Sequence, residues 1–109
     1  MSFATTDKEI ELLVNKELVT ANKNNPQFHS PHEGFAVLSE EVDELTNDIK
    51  VIRLINETLW DKVKKDSVPK TEHIDTAKMI MKNAGNAIKE AVQVAAMAQK
   101  YIDYFEDLE

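Results

Sequence analysis

The side chains in this chain best suited to chemistry are carboxylates set three apart. Glu41 and Glu44 form one such pair, and Glu90 with Gln93 forms another in which an amide replaces one acid. Positions three apart on a helix are surface neighbours, so two oxygens at that spacing can share one cation. Hard oxygen donors suit Mg²⁺ or Mn²⁺. At 100° per residue, with Leu38 as the centre of an apolar stripe, Glu41 falls at about 300°, Glu44 at about 240° and Asp48 at about 280°. Glu40, at about 200°, points away from that stripe. Measured from Ala91, Glu90 lies at about 260° and Gln93 at about 200°, again on one flank. A solvated acidic face shows the same spacing without binding any ion. What separates the two readings is whether the fold brings the pairs together.

The elements that must do so read as three helices. Thr6 and Glu9 form the capping box T-x-x-E, and Ile10, Leu13, Val14, Leu18 and Ala21 keep helical spacing to about Asn22. NKNNPQFH, with Pro26, predicts a loop. Ser30 as N-cap, Pro31 in the first turn and Glu33 closing a second capping box start the next helix. Its apolar residues Phe35, Leu38, Val42, Leu45, Ile49, Ile52, Leu59 and Val63 recur every three or four positions, with Asn56 the one polar interruption. KKDSVPK predicts a turn, and the last helix starts near Thr71. There Ile74, Ala77, Met81, Ala84, Ile88, Ala91, Ala95, Ala98, Ile102 and Phe105 repeat without a miss. Two such stripes predict lengthwise, coiled-coil-like packing of the long helices. Gly85, inside the last helix, suggests a bend or a tight contact.

The fold class that follows is all-α: a long antiparallel helical hairpin plus a shorter N-terminal helix, one domain over residues 1–109 with 1–5 disordered. In an antiparallel hairpin, residues equidistant from the turn stand level. The midpoints of Glu41/Glu44 and Glu90/Gln93 average to about position 67, inside DSVPK. Glu41, Glu44, Glu90 and Gln93 should therefore face one another as a hard-oxygen metal site. Each long helix spans roughly 50 Å, twice what the first helix can cover. Val51, Leu54, Ile55, Leu59 and Trp60 are then left without cover, which predicts a homodimer or homotetramer burying them in an oligomeric helix bundle.

Composition limits the partners. Hydrophobic residues make up 42% and charged residues 30%, the balance of a globular domain. A net charge of -7 with a single arginine, Arg53, disfavours nucleic-acid binding. The absence of cysteine excludes thiolate metal sites and suits a cytoplasmic setting, and no apolar run approaches membrane-spanning length. A ferritin-like di-metal bundle needs Glu-x-x-His pairs, and none occurs.

Residues 27 to 50 carry a resemblance. Phe28, His29 and Pro31 reproduce F-H-x-P, and Leu38, Glu41, Glu44 and Leu45 follow as L-x-x-E-x-x-E-L, while Glu40, Glu41 and Glu44 also read as EExxE. The segment resembles the MazG-like all-alpha nucleoside triphosphate pyrophosphohydrolases and their dUTPase and dCTPase relatives. The second family motif is ExxD, matched by Glu90 to Gln93 with glutamine in place of aspartate. The lysine- and asparagine-bearing segment that often follows ExxD has no counterpart after Gln93. The resemblance implies hydrolysis of an NTP or dNTP to a monophosphate and pyrophosphate with Mg²⁺ or Mn²⁺. It implies catalytic roles for Glu40, Glu41 and Glu44, and base contacts from Phe28 and His29. Trp60 is a further candidate for stacking on a base, and Lys50, Arg53, Lys89 and Lys100 for phosphate contacts. The alternative is a non-catalytic helical oligomer using the same scaffold for protein interaction.

Overall fold

The computed structural model describes residues 3–108 as three α-helices: α1 (Asp7–Asn24), α2 (Pro31–Val63) and α3 (Lys70–Glu106). No strand occurs among the described residues. Of the segment expected to be disordered, residues 1 and 2 lie outside the description, and residues 3–5 precede α1 and are exposed.

Local chemistry sets the helix ends. At α1, Thr6 Oγ1 accepts from the Glu9 N–H (3.2 Å) while Glu9 Oε2 accepts from the Thr6 N–H (2.7 Å), the reciprocal capping box expected. The helix runs two residues past Asn22, because the Asn25 N–H still reaches the Ala21 carbonyl before Pro26 forces the chain out. At α2, Ser30 Oγ accepts from the Glu33 N–H (3.1 Å), and Pro31 takes the first turn. The second half of that capping box is not made. The Glu33 carboxylate turns instead to His29 Nδ1 at 3.0 Å. Pro69 precedes α3 without a side-chain cap, and the helix begins at Lys70.

Both other helices pack on α3. Lys62 Nζ donates to Thr76 Oγ1 (2.7 Å) near the turn, Gln93 meets Glu41 midway, and Tyr101 lies against Gly34 at the far end. α1 lies on the C-terminal half of α3, where Val14, Leu18 and Ala21 pack on the core of Phe28, Ala96 and Met97. The molecule measures 66 × 29 × 24 Å.

Two expectations require correction. Gly85 has nothing within 4 Å of where a Cβ would stand, whereas a Cβ on Gly34 would sit 2.8 Å from a Tyr101 ring carbon and 2.9 Å from a Phe28 ring carbon. The tight contact is therefore at Gly34. The apolar stripe of α3 is also not the surface that meets α2. Met81 is 70% exposed and Ile88 62%, with Ile74, Ala77, Ala91, Ala95, Ile102 and Phe105 exposed as well. α2 is met by a more polar set that includes Thr76, Glu90, Gln93 and Tyr101. The matching stripe of α2 is likewise open at Phe35, Val42, Ile49 and Val63. Burial preference has no direction, so a stripe shows what seeks cover without showing which partner supplies it. Of the set expected to lack cover, Leu54 and Trp60 are exposed, and Val51, Ile55 and Leu59 are half-buried.

Candidate metal-binding site

Midway along α2 and α3, Glu41, Glu44 and Glu90 each turn a carboxylate oxygen inward, and the three oxygens lie within 4.8 Å of one another. Glu41 and Glu90 are half-buried, and Glu44 is exposed. Glu41 and Glu44 meet because one helical turn separates them. Glu90 joins them from α3.

Crowding so many acids changes their chemistry. The Glu90 carboxyl is pushed up to about 7, first by a hydrogen bond with Glu44, then by desolvation and by the charges of Glu44, Glu41 and Asp48. Glu41 is also raised, mainly by burial and then by the charges of Glu44 and Glu40, with Glu17 of α1 adding a smaller push. Near neutral pH the Glu90 carboxyl is therefore only partly ionised.

Gln93 completes the group in an unexpected way. Its terminal amide atom lies 2.9 Å from Glu41 Oε2 and 3.0 Å from Glu90 Oε2 when the NH₂ is turned toward them. Only a donor is compatible with two acceptors at those distances, so the nitrogen faces the carboxylates. The expected ligand oxygen of Gln93 therefore points away. In this orientation the amide partly neutralises the acids that a cation would neutralise more strongly.

The other candidates fall in separate places. Glu40 is exposed on the outer side of α2, close enough to act on Glu41 by charge alone. Phe28 is 6% exposed, its ring held by Tyr101, Gly34 and the Lys100 ammonium 4.8 Å above it. It serves as core and offers a ligand little surface. His29 is exposed and paired with Glu33. Trp60 stands sixteen positions beyond Glu44 on α2, about 24 Å away along the axis, so the fold does not bring it to the acids. Lys100 is buried and donates to the Asn25 carbonyl at the end of α1 (2.5 Å), which occupies it structurally. Lys50 and Arg53 lie on exposed positions of α2.

A cleft of about 350 Å³ opens beside the cluster, between Leu13, Lys16, Glu17 and Thr20 of α1 and Ile88, Lys89, Val92 and Gln93 of α3. Lys89 was among the candidate phosphate contacts; Lys16 and Glu17 were not anticipated. No spacing within α1 marks those two residues. Only the docking of α1 on α3 brings them beside Gln93. No family model matches the chain, and comparison with curated proteins and with solved structures finds no match.

Proposed function

We propose that the chain is a MazG-like nucleotide pyrophosphohydrolase, in which Glu41, Glu44 and Glu90 hold Mg²⁺ or Mn²⁺ and an NTP or dNTP is cleaved to a monophosphate and pyrophosphate. The convergence of the three carboxylates within 4.8 Å carries the reading. Oxygens on an octahedral Mg²⁺ sit about 2.0–2.1 Å from the ion, hence roughly 3–4 Å apart, and small rotamer changes bring these three into that range. Gln93 can join them by turning its amide over. When bound, the ion neutralises phosphate charge and lowers the pKa of a water.

The remaining roles belong to the chain's own residues. Glu90, raised to about 7 while no cation is bound, would give up its proton as the ion binds, so uptake of the metal is coupled to pH. Lys16 and Lys89, lining the adjacent cleft, can take phosphate oxygens that the acids repel. In this reading α2 and α3 form the antiparallel hairpin of an oligomeric bundle. The assay is release of pyrophosphate from a panel of canonical and modified nucleoside triphosphates with Mg²⁺ or Mn²⁺. Activity that disappears in Glu44→Gln supports the proposal; no release, and no metal-dependent rise in melting temperature, sinks it.

A second reading, a non-catalytic interaction scaffold, is favoured by one observation: the Gln93 amide already bridges two of the acids. Gln93→Asp separates the two. In the enzyme reading a restored carboxylate tightens metal binding, seen as a larger metal-dependent thermal shift; on a scaffold it produces none.

A further inference from the structure

Cleavage of a phosphoanhydride by water needs a proton acceptor as well as a cation. Glu41, Glu44 and Glu90 turn their oxygens toward one another, where a shared ion would occupy their lone pairs. Glu40 is exposed on the outer side of α2. Glu17 differs from all four. It belongs to α1, where Leu13, Lys16, Glu17 and Thr20 share one helical face and line the cleft of about 350 Å³. The opposite wall includes Lys89 and Gln93, and the Gln93 amide reaches Glu41 at 2.9 Å and Glu90 at 3.0 Å. Glu17 is half-buried, and close enough to Glu41 for its charge to act there. It is not one of the three acids whose oxygens lie within 4.8 Å of one another. Glu17 thus borders the cation site without belonging to it. Packing does not account for an acid at this position. Its charge adds to the repulsion felt by Glu41, and the ion pairs among the described residues, His29–Glu33 and Lys64–Asp61, do not include it. An acid held where it opposes its neighbours is a feature of working sites.

We propose that, in the pyrophosphohydrolase reading on which this rests, Glu17 is the general base, taking a proton from the attacking water inside the cleft between α1 and α3. Lys16 and Lys89 can draw phosphate oxygens into the same cleft, so the water meets its proton acceptor where the phosphate is held. As the water oxygen bonds to the α-phosphorus, one of its protons passes to the Glu17 carboxylate. The bond from that phosphorus to the oxygen bridging to the β-phosphorus breaks, and pyrophosphate leaves with the electron pair. Loss of the proton to solvent resets Glu17. Asp48 is the competing acid, half-buried on α2 and near enough for its charge to act on Glu90, but it does not line the cleft. α1 contains no buried residue, so a substitution at Glu17 leaves the core of Phe28, Ala96 and Met97 intact.

Turnover of the full chain with Mg²⁺ or Mn²⁺, on the triphosphate of the panel that releases most pyrophosphate, tests the assignment. Glu17→Gln should lower kcat by about 100-fold or more while KM stays within about threefold. Its metal-dependent rise in melting temperature should remain as large as the parent's, unlike that of Glu44→Gln, because Glu17 is not a ligand. Without metal, Glu17→Gln should melt no lower than the parent, since it removes a charge that opposes Glu41. Glu11→Gln makes the same charge change at an exposed position of α1 outside the cleft, and should leave kcat unchanged. Glu17→Ala should lose as much activity as Glu17→Gln and regain it as formate is added, a rescue that a purely structural residue does not show. A parent that turns over while Glu17→Gln keeps its kcat overturns the inference and leaves the hydrolase reading standing. So does a loss that formate fails to restore in Glu17→Ala, a metal-free melting temperature that falls, or a metal-dependent shift that disappears. Loss of turnover in Asp48→Asn with Glu17→Gln still active moves the base to α2 and overturns it too. A parent that releases no pyrophosphate sinks the hydrolase reading itself, and the assignment of Glu17 with it.

Discussion

The two ends of the α2–α3 pair are built differently. At the end away from the turn, Phe28, Gly34, Ala96, Met97 and Lys100 are all buried, with α1 and both tyrosines, Tyr101 and Tyr104, packed round them. At the turn end the one buried residue is Thr76, a polar group satisfied by Lys62 and by the Glu72 carbonyl, while Leu54, Trp60, Met79 and Met81 face outward. One end holds a three-helix core, and the other is two helices sharing a narrow seam. A two-helix segment buries less apolar area against its ordering entropy than a three-helix core does.

Mutations should divide along that line. Phe28→Ala removes the ring that Gly34, Tyr101 and Lys100 enclose, and should cost about 3–5 kcal/mol in denaturant unfolding. If it costs less than a surface change, the buried end is not the stable one. The two glycines give a sharper contrast with smaller effects. Gly34→Ala forces a methyl against two aromatic rings and should cost about 1–3 kcal/mol, whereas Gly85→Ala meets open space and should gain about 0.5–1 kcal/mol. Equal signs for the two would show that close packing does not distinguish the ends.

The acidic cluster, between the two ends, adds a pH dependence. Because the Glu90 carboxyl is raised from 4.5 to about 7 on folding, the native state binds the extra proton. Stability from this group is fully present below pH 4.5 and is lost as pH rises through about 7. Glu90→Gln should therefore melt higher than the parent at pH above 7, while the difference shrinks in acid. A pH-independent difference between the two proteins would show that the carboxyl does not titrate in that window. Added Mg²⁺ or Mn²⁺ should stabilise the parent more as pH rises, since the cation displaces that proton.

The short-range chemistry was legible in the sequence. Thr6 and Ser30 start their helices, Pro26 and Pro69 bound them, and the level placement of Glu41, Glu44 and Glu90 follows from counting residues away from one turn. These depend on neighbours in the chain or on a single symmetry of the backbone. Lys16 and Glu17 were invisible because their place beside Gln93 exists only after α1 docks. Phe28 was read as a ligand contact, although a ring beside a glycine one turn into the following helix is equally a packing signal.

By itself, then, the sequence determined three helices, their ends, and an encounter of acids at mid-height, because caps, prolines and helical periodicity act over a few residues. Tertiary structure alone decided which side of each rod meets which neighbour. Two stripes about 160° apart on α3 share one heptad spacing, and the more apolar of them turned outward while the one bearing Glu90 turned inward. Periodicity records that a surface seeks burial, and only the three-dimensional arrangement assigns that surface to a helix of the same chain or leaves it open.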